Sequence, residues 1–312
     1  MATLCPVSHT SHSSSPKQTS SVFHTPSRTL QLSGIFFPND MVLIGKRVLT
    51  VVSGASRGIG KEIAVQISKQ VAPNSAFLLT ARNESALLQI KQDILNGSEK
   101  AQVWIVVCDM GSLNSDAIKT FTEVLGEMTA LGPFDSAFIF HNCGTVGDVS
   151  KRCSALSNPE QWHNYLNVNV IAMIQFNNLL LSSITKQTAN YRFVVNITSI
   201  LAIQGFPSLT QYSVGKAARE AFFRGLAVDD ETIKVLSYSP GPVDTAMHDI
   251  IAKEQLRSFD ENIRAAFSRQ NTESYDVHRT TLTTTQTVVK MLKHLEENKF
   301  DSGSRIDYFD DE

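Results

Sequence analysis

Lys46-Arg-Val-Leu-Thr-Val-Val-Ser53 runs straight into Gly54-Ala-Ser-Arg-Gly-Ile-Gly60, and this passage decides the fold. Its first half is short, apolar and β-branched, the pattern of a strand buried on both faces. Its second half is a glycine-rich turn. From Gly60 to Gln70 the apolar residues Ile63, Ala64 and Ile67 then recur at the spacing of one helix face. Strand, glycine turn and helix in this order form a phosphate-binding unit. The glycines permit a tight turn and close approach of backbone to ligand. The helix start offers unpaired N–H groups and the positive end of a dipole to a pyrophosphate. Gly54, Ala55, Ser56, Arg57, Gly58, Ile59 and Gly60 are therefore assigned to a phosphate-bearing cofactor.

Outward from this unit the alternation continues. Strands are expected at Ala76–Thr80, Gln102–Cys108, Asp135–Phe140, Tyr191–Ile197 and Thr232–Tyr238. Helices are expected at Glu84–Leu95, Asn114–Met128, Glu160–Ser183 and Tyr212–Val228. Such repetition demands parallel pairing with right-handed crossovers. An α/β fold follows, a doubly wound parallel sheet with helices on both faces and ligands at the C-terminal ends of its strands. Met247 to Tyr275 reads as polar and irregular, a candidate lid.

The second strand bears on the choice of dinucleotide. An NAD site usually places an acid near its end to hold the ribose 2′-hydroxyl. Here Thr80-Ala-Arg-Asn83 precedes the first acid, Glu84. Arg82 can grip a 2′-phosphate through charge-assisted hydrogen bonds, and Arg57 can add a second cation. The expected cofactor is NADPH/NADP+. Asp109, after the third strand, is placed to meet the adenine edge or to cap a turn.

Tyr212-Ser-Val-Gly-Lys216 places a phenol and an amine four residues apart, on one helix face. A phenol titrates near about 10 in water, too high for acid–base work at neutrality, and an adjacent ammonium should lower it. Tyr212 is the expected proton donor to a carbonyl oxygen, with Lys216 tuning it and holding a ribose hydroxyl. Ser199, 13 residues upstream and just past the fifth strand, can bind the same oxygen.

Gly54-x-x-x-Gly58-x-Gly60, Ser199 and Tyr212-x-x-x-Lys216 together resemble the short-chain dehydrogenase/reductase family, over residues 46–312. The resemblance implies a single Rossmann-type domain, hydride transfer from a nicotinamide, and a homodimer formed through long helices. It suggests Asn169 as a fourth catalytic residue, connected to Lys216 through a water. Pro240-Gly-Pro-Val-Asp-Thr245 is similar to the segment that packs over the nicotinamide. Cofactor contacts thereby extend to Asn83, Met110, Asn142, Val243, Asp244, Thr245, Ala246, Met247 and His248. His141-Asn-Cys-Gly144 stands where the family commonly has Asn-Asn-Ala-Gly, so Asn142 and Gly144 match while His141 and Cys143 depart.

A narrower likeness is to pterin-reducing members of the family. It rests on Thr80-Ala-Arg-Asn-Glu84, Gly144-Thr-Val-Gly-Asp148, Tyr212-Ser-Val-Gly-Lys-Ala-Ala-Arg219 and Ser302-Gly-Ser-Arg-Ile-Asp-Tyr-Phe-Asp310. It implies Ser199, Ile200, Tyr212 and Gly241 as substrate contacts and Asp307 as an anchor for the ring. The anchor is chemically apt, since a carboxylate can accept from the guanidine-like donor edge of a pterin with both oxygens. The expected activity is NADPH-dependent reduction of side-chain carbonyls of pterins, towards tetrahydrobiopterin. The alternatives are a general carbonyl reductase for diketones, quinones or steroids, and a non-catalytic NADP(H)-sensing interaction protein.

Composition agrees with a globular chain, at 42% hydrophobic and 19% charged residues. The net charge of −2 shows no basic excess, so nucleic acid and anionic membranes are not expected partners. No apolar run reaches the length of about 18 residues that spans a bilayer. Cys5, Cys108, Cys143 and Cys153 form no C-x-x-C pair, which reads as reduced thiols and no metal site. Residues 1–40 are different material: nine Ser, five Thr, four Pro, and no acid before Asp40. They bury too little apolar surface to order on their own. They are expected to be a disordered leader on a domain spanning 41–312. That leader is either a tail from an upstream start, with a cytoplasmic protein, or an organelle-targeting peptide.

Overall fold

In the computed structural model the described residues are 41–98, 100–258 and 281–310. The expected leader lies outside them. Seven strands form one parallel sheet: β1 Val48–Ser53, β2 Ala76–Ala81, β3 Gln102–Val107, β4 Phe134–His141, β5 Ala189–Ile197, β6 Ile233–Ser239 and β7 Ser304–Asp307. Their spatial order is β3-β2-β1-β4-β5-β6-β7. The chain thus leaves β1 towards one edge and returns to build the other half beyond β4. This reversal opens a crevice above the C-terminal end of β1. The register pairs Val51 of β1 with Leu78 of β2 and Ile139 of β4.

Three helices cover one face: α1 Gly58–Ser68, α2 Glu84–Gly97 and α8 Thr284–Glu297. On the other lie α3 Ser115–Thr129, α5 Ala172–Ser183 and α6 Thr210–Asp229. Side chains alternate across β1, so Val48 and Val52 pack under α1 while Leu49 and Val51 pack under the second layer. Phe138 and Phe193 stack at 4.9 Å on neighbouring central strands. Each fully buried side chain of this size contributes about 1.5–3 kcal/mol by leaving water, which is why the sheet's runs are nearly all apolar.

Several expectations shift. β1 starts at Val48 rather than Lys46, because Arg47 turns out to the loops and its N–H donates to Asp135 at 2.8 Å. The expected single helix Glu160–Ser183 is α4 Pro159–Leu166, a π turn over Asn167–Ile171, and α5. Met247 to Ser258, expected as irregular, belongs to helix α7 Ala246–Ser258. The rest of the proposed lid, 259–275, lies outside the described residues. α8 and β7 were not expected. Thr283 and Gln286 close a capping box at the start of α8. Near its far end Glu296 Oε2 accepts the N–H groups of Val42 at 3.1 Å and Leu43 at 2.8 Å, which ties residues preceding β1 to the last helix.

Candidate active site

The ends of β1, β2, β4, β5 and β6 open into a cleft of about 1880 Å³. Gly54 and Gly58 have φ of +68° and +56°, the left-handed region that glycine enters freely. Every residue expected to contact the dinucleotide lines this cleft except Ala55 and Gly60. Ala55 is fully buried in the core, and its N–H is used by Thr80 O at 3.1 Å. Gly60 faces inward: a Cβ there would stand 2.3 Å from Gly54 O and 2.6 Å from Asn142 Nδ2. Its role is close packing of α1 against the turn. Asn142 Nδ2 bridges Ser53 O at 3.2 Å and Gly54 O at 3.1 Å, clamping the turn to the end of β4.

Arg57 and Arg82 both line the cleft. Arg82 lies 3.7 Å from Asp109, with side chains 71% and 50% exposed. An ion pair this exposed is weak, so the guanidinium can turn to a phosphate. Asn83 and Asp109 also serve the backbone. The Asn83 side chain caps α2 through Ala86 N–H at 3.0 Å, and Asp109 Oδ1 accepts from Gly111 N–H at 2.9 Å. Glycines, helix start and cations together fit a dinucleotide carrying a 2′-phosphate. Among the described residues no cluster of three metal-ligating side chains exists.

Tyr212 and Lys216 face the cleft from α6, 8% and 6% exposed. Ser199 follows β5, lines the cleft with Tyr212, and its hydroxyl favours ionisation of the phenol. Lys216 Nζ donates to Ile197 O at 2.6 Å and lies 5.4 Å from the centre of the Tyr212 ring. The electrostatics depart from expectation. Burial pushes the Tyr212 hydroxyl up to about 12, and the Ser199 hydroxyl and the Arg219 guanidinium only partly oppose it. Burial also holds Lys216 well below its ordinary value, Arg219 adds to that, and the Glu220 carboxylate opposes it. The Arg219 guanidinium is a second cation that favours ionisation of the phenol, beside the Lys216 amine 5.4 Å from its ring.

Arg219 closes the Tyr212–Arg219 segment, and its spacing alone assigns it no role. It is 1% exposed and spends its donors on Asn196 Oδ1 at 2.9 Å, Cys143 O at 2.9 Å and His141 O. Its position three residues after Lys216 and seven after Tyr212 puts it on their helix face, which was the available signal. It ties the catalytic helix to the departing His141–Cys143 segment.

Asn169 does not reach the cleft wall. It sits in the π turn, where Oδ1 accepts Thr145 N–H at 2.8 Å and Nδ2 donates to Tyr165 O at 2.9 Å. Its side chain is spent on holding the loop after β4. Gly241 lines the cleft with φ +73°, but a Cβ there would point at Leu282 Cδ1, 2.9 Å, and Phe309 Cε2, 3.2 Å. Glycine is needed there because the C-terminal tail lies against it. Ile200 and Asp307 also line the cleft, and Asp307 is 6% exposed.

Residues 48–256 match the model of the short chain dehydrogenase family. Similar curated proteins include the sepiapterin reductase of Rattus norvegicus, 31% identical over 83% of this chain and 95% of that protein. The sepiapterin reductase of Bos taurus is 32% identical over 85% and 96%. Among solved structures, L-sorbose reductase from Gluconobacter frateurii, complexed with NADPH and L-sorbose, has a TM-score of 0.69 at 21% identity. It covers 86% of this chain and 96% of its own. YciK of E. coli has a TM-score of 0.63 at 23% identity, covering 86% and 97%. With the sheet order, the glycine turn and the Ser199–Tyr212–Lys216 group in one cleft, these matches place the chain in the short chain dehydrogenase family, and it belongs to that family.

Proposed function

We propose that this chain is an NADPH-dependent reductase of carbonyl groups on the side chain of a pterin, a reading supported by its similarity to proteins named sepiapterin reductase. The observation that carries the reading is that Asp307 lines the same cleft as Ser199 and Tyr212. A ring held by its donor edge at one end can thus present a side-chain carbonyl at the other. The helix start at Gly58 and the cations Arg57 and Arg82 would hold the pyrophosphate and 2′-phosphate, and Val243 to His248 would flank the nicotinamide. NADPH when bound supplies the hydride. Tyr212, protonated throughout the neutral range, gives its proton to the substrate oxygen. Ser199 orients that oxygen, and Lys216 has N–H groups left over from Ile197 O to hold a ribose hydroxyl. A homodimer through the long helices is part of this reading. A cytoplasmic location remains part of this reading. Among the described residues no helix is long and apolar enough to cross a membrane.

The test is NADPH oxidation with sepiapterin and with a small diketone, in the wild type and in Asp307→Ala. The expected result is that Asp307→Ala raises KM for sepiapterin about tenfold more than for the diketone, the scale of a lost charge-assisted contact. Equal effects on both substrates would reduce the protein to a general carbonyl reductase. NADPH binding with no turnover of either would leave an NADP(H)-sensing protein.

A further inference from the structure

Arg305 and Asp307 sit two residues apart on β7, so their side chains share one face of the sheet. Arg305 Nη2 lies 3.4 Å from Asp307 Oδ2, and Arg305 Nε donates to Glu220 Oε1 at 3.1 Å. Glu220 is 3% exposed and stands on α6, one turn beyond Lys216. Its Oε1 also accepts from Thr198 Oγ1 at 2.6 Å, beside Ser199, and its Oε2 lies 3.7 Å from Arg224. The helix that carries the proton donor is therefore joined to the tail carboxylate through one guanidinium.

The geometry of that guanidinium matters. Nε faces one carboxylate while Nη2 faces the other, which a planar fork can do and a single ammonium cannot. A surface pair would add little, but here Glu220 and Asp307 are buried and Arg305 is only 18% exposed. Buried ion pairs are weak evidence for stability, and their best-attested use is to fix register. Asp307 Oδ1 accepts Phe309 N–H at 3.3 Å, so among the described residues each oxygen holds one protein partner. Each keeps one lone-pair direction for a ligand.

We propose that Arg305, seated by Glu220, is a positioning residue for substrate specificity. It holds the Asp307 carboxylate at a fixed distance from Tyr212, aimed at a flat heterocycle with a guanidine-like donor edge. This rests on the role given to Asp307 in the proposed function and adds how that role is set up. Because the guanidinium bonds two carboxylates at once, charge alone does not replace it.

The experiment is calorimetric titration of the NADP+-loaded full chain with unsubstituted pterin, which has the donor edge and no side-chain carbonyl. The proteins are wild type, Arg305→Met, Arg305→Lys, Asp307→Ala and the double variant Arg305→Met/Asp307→Ala. Arg305→Met should raise the pterin Kd about tenfold relative to its NADP+ Kd, the scale of lost preorganisation. Arg305→Lys should stay within about threefold of Arg305→Met. In the double variant the two losses should not add, since they break one unit. If Arg305→Met fails to fold, Glu220→Gln cuts the same link from the helix side and should weaken pterin in the same direction. Pterin affinity that survives Arg305→Met or Glu220→Gln, full rescue by lysine, additive losses, or parallel loss of NADP+ and pterin would each overturn the proposal. So would absence of pterin binding to the wild type. Sepiapterin turnover by the wild type is a separate measurement. Its failure with Arg305-dependent pterin binding intact would sink the proposed function and leave this inference standing.

Discussion

A buried phenol is a poor base and a well-loaded acid. At about 12 the Tyr212 hydroxyl keeps its proton across the neutral range, which makes it a loaded but weak acid, so in the proposed reduction proton transfer must wait until charge builds on the substrate oxygen. Tyr212→Phe removes that proton and keeps a ring against Val146 and Leu209. The expected outcome is a fall in kcat of about 10²–10⁴-fold, the usual weight of a positioned acid. NADPH affinity, read by fluorescence titration, should change far less, because the residues proposed to hold the phosphates, Arg57, Gly58 and Arg82, are left intact. Retained turnover would remove Tyr212 from the chemistry. At this scale the sequence was partly legible. Tyr212, Lys216, Ser199 and Arg82 announced themselves by residue type and spacing. Arg219, Glu220 and Arg305 did not, since a charged residue on a helix or near a terminus is ordinarily solvated. Only folding shows that Glu220 and Arg305 pair with each other and that Arg219 is held by Asn196 and by the carbonyls of His141 and Cys143.

Hydrophobic period reports on elements that bury a face, and here it located most strands and helices to within two residues. It could not report the π turn at Asn167–Ile171, where the N–H of Ala172 returns to Asn167 O. That turn inserts an extra residue into a helix whose apolar pattern looks continuous, and it carries Asn169 inward to the loop after β4. Nor could it report β7, four residues of which one, the polar Asp307, is buried, because an edge strand pairs on one side only. The β1–α1 turn was the most legible element, and its glycines divide by task. Gly60→Ala places a Cβ 2.3 Å from the Gly54 carbonyl, where backbone must yield. The expected loss is about 1–3 kcal/mol of stability, as for overpacking elsewhere, together with weaker NADPH binding as the turn is pushed open. Gly97→Ala, with nothing within 4 Å, is the control in chemical denaturation and should move the midpoint little. Equal effects of the two would mean that α1 does not need to sit so close to the turn.

For the molecule as a whole, the acid limit of stability lies at the centre of the sheet. His141 ends β4 and is 1% exposed, with Nε2 3.0 Å from Asn177 Oδ1 and its ring 5.3 Å from that of Phe223. Burial, aided by the Arg219 guanidinium, lowers its pKa to about 3 against the partial resistance of the Asn177 hydrogen bond. The unfolded chain binds this proton near the ordinary value of about 6.5, while the folded chain refuses it until about 3. The unfolded state is therefore the more protonated one between those values, and stability must fall as pH drops through that window. The cost approaches a few kcal/mol by pH 4, comparable to much of a domain's net stability. Asp148 and Asp230 pull the same way at lower pH. In each, burial would raise the carboxyl, but hydrogen bonds from Ser150 and Lys151, or from Thr232 and Arg192, outweigh it and leave the value depressed. The comparison must therefore be a difference between proteins. His141→Asn retains a partner for Asn177 and cannot titrate in this range. Urea midpoints at pH 7, 6, 5 and 4 should fall steeply for the wild type and less so for the variant. The two curves should converge or cross on the acid side even if the variant is weaker at neutrality. Parallel curves would show that the buried imidazole is not what acid attacks first. Acid unfolding would then be carried by carboxylates such as Asp148 and Asp230 instead.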